Sequence, residues 1–552
     1  MSFLPFLVIT LGGSVLTWFV RRSPRVSGGI AGILLVGAIF AALAISPGQT
    51  LAIGGSGLVT TAYLRVILVL ATALAAMLTL LATIDGRHGG GTPITLGILG
   101  LAGLTLALPD TAIAVVAATA GGATGALYAV GTGGGRIGAT VGTRVLRAAV
   151  IAGTMAIAAS AWIGRDLSEL AAQPVVFGLA YLAMGLAVAI RFGAIPFHVW
   201  TAKLTDTVAA TSLPLVMVIG PAVFAVVALA WTDASIAPLL VDLDSARAVV
   251  IAVAVASILL GSLAAWIRDD LEHVVAYTII GDAGVVLLGM AALDPAAWEP
   301  TRIWILVLVA SRGAFAAWAG AVRIQVGTSR IDDLRGFALR MPLAGVALAL
   351  TAIAAIGLPG LAGFEARSDI IALALDGPIG TIVFLGALTP LAIYVRLLII
   401  GVERGVGAAD AVSRRLVLTS PRAGELPEWM ATTWGANRHV VVGTTSVAAA
   451  VLALGVSLGG LGGPAAAAGE PPTLAVPGET FIPGDQIEPD GPAEPETSDD
   501  PDVTAPPDET APPDETGEPV SPDASTHPTP TEVVGSRGYS PSASTQRSTS
   551  RS

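Results

Sequence analysis

Long apolar runs separated by short polar segments dominate the first 462 residues of the chain. Each run is close to the length that a helix needs to cross the hydrocarbon of a bilayer, roughly 20 residues. This pattern predicts a series of membrane-spanning helices. The predicted spans, about 14 in number, are 4–20, 28–46, 60–84, 93–109, 111–130, 146–164, 174–196, 207–231, 247–267, 272–293, 302–324, 341–363, 369–402 and 440–461.

The composition supports the same fold class. Hydrophobic residues make up 54% of the chain and charged residues only 12%, whereas soluble domains carry about 25% charged residues. A soluble enzyme, a nucleic-acid-binding protein and a fibrous protein are therefore poor interpretations. The chain has no cysteine, which excludes thiolate catalysis, thiolate zinc sites, iron–sulfur ligation and disulfides. Lys203 is the only lysine, and the other basic residues are arginine.

The acidic charge of the chain is concentrated at its C-terminal end. Residues 469–552 contain 17 Asp or Glu and three Arg, and the segment APPDET occurs at 505–510 and again at 511–516. A segment rich in Pro, Ser, Thr and acidic residues and poor in large apolar ones predicts disorder. A solvated tail is the first interpretation, and docking onto a basic partner surface is the alternative.

Basic residues in alternate loops predict the orientation in the membrane, because Lys and Arg are enriched in cytoplasmic loops. The loops on one side of the membrane contain few basic residues beyond Arg165, Arg247, Arg302 and Arg367, so this side is predicted to be extracytoplasmic. Both termini fall on this side, outside the cytoplasm of a bacterial plasma membrane. The predicted cytoplasmic side holds most of the others: Arg21, Arg22, Arg25, Arg87, Arg136, Arg144, Lys203, Arg268, Arg323, Arg330, Arg335, Arg340, Arg404, Arg414, Arg415 and Arg422.

Two apolar runs contain residues that interrupt helices. One is VAATSLPLVMVIGPAV, with Pro214, Gly220 and Pro221, and the other is AAIGLPGLAGFEARSD, with Pro359 and Gly360. Interrupted helices in membranes free backbone groups that must be buried in protein or face water. Paired interruptions are typical of transporter-like inverted repeats, although each one alone fits an ordinary proline kink.

Ionisable residues inside the predicted spans are the candidates for function, because a buried charge is costly to insert into a membrane. Asp282 and Arg312 occupy consecutive spans and could form a buried pair. Such a pair would be either a structural link or part of a polar path. Arg65 and Arg396 are expected to extend to an interface. The proton- or ion-path candidates are Arg191, His198, Asp282, Arg312, Glu365 and Arg367.

Three segments resemble the antiporter-like membrane subunits of respiratory complex I and of multi-subunit sodium/proton antiporters. They are RFGAIPFHVWTAKLTDTVAATSL, IRDDLEHVVAYTIIGDAGVVLLGM and IDDLRGFALRMPLAGVALALTAIAAIGLPGLAGFEARSDI, in the family's order and spacing. The resemblance covers roughly residues 60–402. It implies an all-α polytopic membrane protein with about 14 helices and two inverted five-helix repeats containing broken helices.

The resemblance also implies a row of buried proton-carrying groups, which this chain has altered. Arg191 and Arg367 stand where the family has proton-carrying residues, typically lysines, and Asp282 and His198 stand at histidine positions. Phe315 matches another lysine, and its histidine matches Ser311, beside Arg312. The acidic partner expected within 111–130 and the lysine expected near Pro221 are missing. Arginine cannot exchange protons, so we expect Asp282 and Glu365 to be the remaining carboxylates of a path.

We therefore expect an ion-translocating subunit with a degenerate lysine relay, in a complex I-like or sodium/proton antiporter-like assembly. A non-conducting scaffold and a membrane subunit that energises uptake of a small anion such as bicarbonate are the alternatives. We expect no cofactor, metal site or catalytic residue in this chain, and partners that are other membrane subunits and lipid but no nucleic acid. The predicted organisation is N-terminal spans at 1–92, an antiporter-like core at 93–402, a partly amphipathic cytoplasmic loop at 403–439, a last span at 440–462 and an extracytoplasmic tail at 463–552.

Overall fold

Helices built from the apolar runs form almost all of the regular structure in the computed structural model. The structure describes residues 2–53, 56–85, 91–133, 135–163, 174–236, 243–403 and 428–462. The predicted tail at 463–552, Arg165 and the loop residues 404–427 lie outside these ranges. All described residues belong to one compact unit.

The helices follow the predicted runs in order along the chain. They are α1 (Leu4–Val20), α2 (Pro24–Leu43), α3 (Ala62–Asp85), α4 (Gly91–Ala107), α5 (Thr111–Gly133), α6 (Gly135–Ile163), α7 (Pro174–Phe192), α8 (Val199–Thr205), α9 (Ala210–Ser235), α10 (Asp244–Trp266), α11 (Leu271–Ala291), α12 (Trp298–Val326), α13 (Phe337–Arg340), α14 (Pro342–Ile356), α15 (Ala362–Ala374), α16 (Gly377–Ala387), α17 (Pro390–Val402) and α18 (Glu428–Ser457).

Among the described residues, 11 helical segments are long and apolar enough to cross a membrane, or 12 if a bent pair counts as one span. The pair is Ile331–Arg340 with Pro342–Ile356, bent by 109°. α1 and α4 are shorter apolar helices. The chain is thus a multi-pass helical membrane protein, while the count of 14 spans and the two inverted repeats stay predictions.

A small hairpin departs from the all-α prediction. Strands β1 (Thr50–Ile53) and β2 (Ser56–Val59) pair antiparallel between α2 and α3, with Thr50 opposite Val59. Alternation and β-branched residues favour a strand here, but the segment is too short to have stood out beside the neighbouring apolar runs.

The first predicted helix interruption was placed wrongly. α9 continues through Pro214, Gly220 and Pro221, with wider π-type turns at Leu215–Ile219. Membrane helices absorb the missing proline donor through such local adjustments. The chain breaks earlier instead, between the end of α8 at Thr205 and the start of α9.

The second interruption coincides with the predicted residues. α14 ends at Ile356, and α15 begins at Ala362. Gly357 and Gly360 between them have positive φ angles of +66° and +90°, a conformation that L side chains rarely adopt. Pro359 lies inside this break.

Two helices, α11 and α12, form the centre of the protein. Every position in the most apolar 18-residue stretch of each of these helices is buried. In α2, α6 and α10 only about a third of the corresponding stretch is buried. Glycines allow α10 to approach α11 closely, as is usual in membrane bundles. A Cβ atom at Gly284 would lie 2.5 Å from the carbonyl oxygen of Ala254, and one at Gly261 would lie 3.0 Å from the amide nitrogen of Gly281.

Candidate functional site

A buried ion pair joins the two central helices. Asp282 on α11 accepts a hydrogen bond from Nε of Arg312 on α12 at 2.5 Å. Arg312 is 0% exposed and Asp282 is 6% exposed. Arg312 also donates from Nη1 to the hydroxyl of Tyr394 on α17 at 2.9 Å. The indole of Trp304 donates to the Asp282 carbonyl oxygen at 3.2 Å.

Aromatic rings close one side of this pair. Phe315 lies one turn after Arg312 on α12, and its ring meets Tyr394 edge-on with centroids 5.1 Å apart. Phe315 also stacks on Trp318 at 5.6 Å. The position that resembles a family lysine is therefore part of an apolar wall. Asp282 is the member of the cluster that can take up or release a proton, since arginine stays protonated.

Arg367 lies beside the pair and holds the helix break. Its Nη2 donates to the carbonyl oxygen of Ile356, the last residue of α14, and its Nη1 donates to that of Ala387 at 3.4 Å. The guanidinium lies 5.5 Å from the ring centroid of Trp304. It interacts favourably with Asp282 and unfavourably with Arg312. Together these residues carry one more positive than negative charge.

A second buried pair links the same two helices nearer the start of α11. Glu272 accepts a hydrogen bond from Nη1 of Arg323, and the two side chains are 6% and 17% exposed. Glu272 and Asp282 are ten positions apart on one helix, so the two pairs are separated by about 15 Å along the helix axis.

Polar groups near Glu272 lead toward the surface. His273 Nε2 lies 3.5 Å from Oδ1 of Asp206, in the break before α9, and Asp206 also pairs with Lys203 at 3.3 Å. His198 is half-buried with its ring 6.3 Å from that of Tyr277. Its Nδ1 has no hydrogen-bond partner among the described residues. His198 therefore lies against Tyr277, which is midway along α11 between Glu272 and Asp282.

Glu365 does not join the buried cluster. It is exposed on α15, whereas Arg367 on the same helix is buried. Asp369 is exposed one turn further along the helix. The two carboxylates thus lie on an outer surface that would face lipid, water or another subunit. The expectation that Glu365 belongs to a path with Asp282 is not supported by this geometry.

Arg191 lies apart from the other candidates, in the last turn of α7, and is 3% exposed. Its guanidinium lies against Gly122 of α5 and Gly220 of α9. Nε and Nη2 have no hydrogen-bond partner within the part of the chain that the structure describes. The acid that the sequence lacks in α5 is not replaced by one from another described helix.

Sequence reasoning missed Glu272, Arg323 and Tyr394. Glu272 and Arg323 stood at the ends of predicted spans, where charges usually face water. One signal could have found them. Glu272 precedes Asp282 by ten residues, and Arg323 follows Arg312 by 11. When two neighbouring helices run antiparallel, such nearly equal spacings place Glu272 opposite Arg323 if Asp282 is opposite Arg312.

A family profile described as "NADH:quinone oxidoreductase/Mrp antiporter, TM" matches residues 152–391, which include α7 to α16 and both buried pairs. This part of the chain is therefore similar to the antiporter-like membrane subunits that the profile describes. Subunit N 1 of NADH-quinone oxidoreductase from Rhizobium meliloti is 30% identical over 252 residues, 44% of this chain and 51% of that protein. Subunit N from Chlorobium chlorochromatii is 30% identical over 260 residues, 42% of this chain and 49% of that protein. The chain thus spans about half the length of the curated relatives it matches.

Solved structures of similar fold align with more of the chain than these relatives do. One chain of the Mrp complex from Dietzia sp. aligns over 86% of the present chain and over 98% of the Dietzia chain, with TM-score 0.64 and 19% identity. One chain of respiratory complex I from Thermus thermophilus aligns over 84% of the present chain and over 100% of the Thermus chain, with TM-score 0.62 and 20% identity. At these identities the likeness shows the fold alone.

Proposed function

We propose that this chain is an ion-translocating subunit of a complex I-like or sodium/proton antiporter-like membrane assembly, and that protons move through its second half by way of Asp282. The observation that carries the proposal is the buried Asp282–Arg312 pair between two fully enclosed helices, next to a broken helix. Buried charge in a membrane interior is costly and usually functional.

The second pair extends the proposed path. Glu272 supplies another carboxylate about 15 Å from Asp282 along α11, on the side that the arginine distribution predicts to be cytoplasmic. The neighbouring His273 and Asp206, with side chains 20% and 45% exposed, are more open to solvent than Glu272 and would continue this path. These groups can accept and release protons, while Arg312 and Arg323 supply fixed positive charge. Transfer between Glu272 and Asp282 would require water, because the two carboxylates are separated by about 15 Å along α11.

The two helix interruptions support the proposed inverted repeat. One lies between α8 and α9 and the other between α14 and α15. The second lies directly before α15, which carries Arg367. The proposed orientation, with both termini outside the cytoplasm, rests on the arginine distribution alone.

The exposed carboxylates suggest where an assembly partner binds. Glu365 and Asp369 lie one turn apart on α15 and are both exposed. A carboxylate facing lipid would be costly. We therefore infer that this face of α15 meets another membrane subunit.

Proton flux into sealed proteoliposomes tests the proposal. The full chain, purified with the subunits that stay bound, is compared with Asp282→Asn, which removes the titratable group but keeps an acceptor oxygen. Asp269→Asn is the matched control, because Asp269 is 61% exposed and pairs with Arg396 in a loop. We expect Asp282→Asn to lose most of the flux and the control to keep it.

Two outcomes would overturn this assignment. Equal flux in wild type and Asp282→Asn would make the pair a structural link between helices. No flux in the wild type, with its partners bound and a membrane potential applied, would favour the non-conducting scaffold.

A further inference from the structure

A pocket of about 430 Å³ lies between α12, α13, α14 and α18, at one end of the helix bundle. Its described lining residues come from the last turn of α12, from the segment 333–343 and from the α18 positions His439 and Val440. The volume lies within the range of about 300–1,000 Å³ that is typical of pockets for small molecules. The pocket therefore has room for a molecular group, and its described lining does not include Glu272 or Asp282.

The chain bends sharply beside this pocket. The segment Ile331–Arg340 and the helix Pro342–Ile356 are bent by 109° relative to each other. Because Pro342–Ile356 packs against α12 and α18 in the bundle, a bend of this size directs Ile331–Arg340 away from the bundle axis and along the membrane surface. Arg335 and Arg340 of this segment lie on the side that the arginine distribution predicts to be cytoplasmic. The pocket is thus at the boundary between hydrocarbon and lipid headgroups.

One wall of the pocket is apolar and reaches the outer surface of the bundle. Leu343 on α14 and Val440 on α18 line the pocket and are 39% and 55% exposed. Leu339 on α13 is exposed nearby. At the edge of a membrane-spanning bundle, exposed apolar side chains are suited to contact with lipid acyl chains.

Arg340 brings a positive charge to the same pocket. It is exposed and forms no ion pair with a described residue. Arg335, which also lines the pocket, is already paired with Glu403 at 3.2 Å. Asp333 is an acid of the lining, and its Oδ2 accepts a hydrogen bond from the Thr328 hydroxyl at 3.1 Å. Arg340 is therefore the basic group whose charge is left for a ligand.

We propose that this pocket binds the headgroup of an anionic glycerophospholipid, with the phosphate on Arg340 and an acyl chain against Leu343 and Val440. A guanidinium offers two parallel N–H donors that match phosphate oxygens. Basic pockets between helices at the cytoplasmic face of a membrane are suited to anionic headgroups. A soluble phosphate ester would leave the apolar wall uncovered, whereas a lipid covers both parts of the pocket. The proposal does not depend on proton transfer through Asp282.

Photocross-linking tests the site. The full chain, purified with the subunits that stay bound, is placed in phosphatidylcholine nanodiscs that contain a phosphatidylglycerol with a diazirine in one acyl chain. We expect saturable cross-linking in the peptides that contain Leu343 and Val440. Unlabelled phosphatidylglycerol should compete, whereas additional phosphatidylcholine and soluble glycerol phosphate should not.

Three variants test the role of charge. Arg340→Gln removes the phosphate partner and should weaken phosphatidylglycerol binding about fivefold, the effect expected of one basic residue near an anionic lipid surface. Asp333→Asn removes a like charge from the lining and should strengthen binding. Arg330→Gln is the matched control, because Arg330 is an exposed arginine next to the same segment that does not line the pocket; this variant should bind normally.

Three results would overturn the proposal. Equal weakening by Arg340→Gln and Arg330→Gln, both folded by size-exclusion chromatography, would reduce the effect to a general attraction between arginines and the membrane. Competition by glycerol phosphate would make the ligand a soluble phosphate ester. Cross-links that fall outside the Leu343 and Val440 peptides, or that are unchanged in Arg340→Gln, would place the lipid elsewhere.

Discussion

Replacing Asp282 by leucine removes the carboxylate that faces Arg312 and leaves two guanidinium groups, those of Arg312 and Arg367, buried side by side. Losing one partner of a buried pair typically costs about 3–5 kcal/mol. Replacing Arg312 by methionine should cost about as much, because the carboxylate is then buried without its hydrogen-bonded partner. This second change also leaves the Tyr394 hydroxyl without its donor.

The double variant Asp282→Leu/Arg312→Met should be far more stable than the sum of the single changes predicts. Both charges disappear together, and apolar side chains of similar volume often replace a buried pair at little cost. The unpaired Tyr394 hydroxyl remains and should cost about 1–3 kcal/mol. The interaction energy of the cycle should therefore exceed about 3 kcal/mol.

Unfolding by SDS in mixed micelles, followed by tryptophan fluorescence, measures the four free energies of this cycle. Trp304 donates to the Asp282 backbone and is fully buried, so it is one of the ten tryptophans whose combined emission reports the unfolding. Additivity within about 0.5 kcal/mol would refute the reasoning. It would mean that water, and not Arg312, balances the Asp282 carboxylate.

Three further changes test the packing and the other charges. Gly284→Ala should destabilise the protein by about 1–3 kcal/mol, since its methyl would meet a backbone carbonyl of α10; Gly281→Ala, which meets a serine hydroxyl, should cost less in the same titration. Arg367→Lys should lose a donor to the helix break and about 1–3 kcal/mol of stability, and wild-type stability would contradict that role. Glu272→Gln should reduce proton flux while Glu272→Asp retains part of it; equal flux in both would limit Glu272 to anchoring Arg323.

The apolar runs predicted the order and the approximate places of most helices, because a helix of roughly 20 apolar residues is what a bilayer requires. The single predicted span 369–402 instead contains the end of α15 and the separate helices α16 and α17. The Asp282–Arg312 pair also followed from sequence, since consecutive spans are usually neighbours. The continuation of α9 through Pro214 and Pro221 did not. Whether a proline breaks a membrane helix or only widens a turn depends on neighbouring helices, and composition does not record this.

The expectation that Glu365 and Arg367 belong to one buried site shows a different limit of prediction from sequence. Residues two apart on a helix point in nearly opposite directions, so both side chains could not face one buried cluster. That argument was available from the sequence, but it could not say which of the two faces inward. The structure buries Arg367 and exposes Glu365. The sequence alone showed that α5 lacks an acidic residue. Only the structure showed that Gly122 and Gly220 lie against the Arg191 guanidinium.

The short connection between α11 and α12 has a consequence for how the protein is made. These two helices end up shielded on all sides, although α14 to α18, which help to enclose them, are synthesised later. Until then, their charged side chains face the lipid or the insertion machinery. Because Asp282 and Arg312 lie only 30 residues apart, they can neutralise each other as soon as this hairpin leaves the ribosome. The pair thus allows two charge-bearing segments to enter the bilayer as one neutral unit, before the rest of the chain exists.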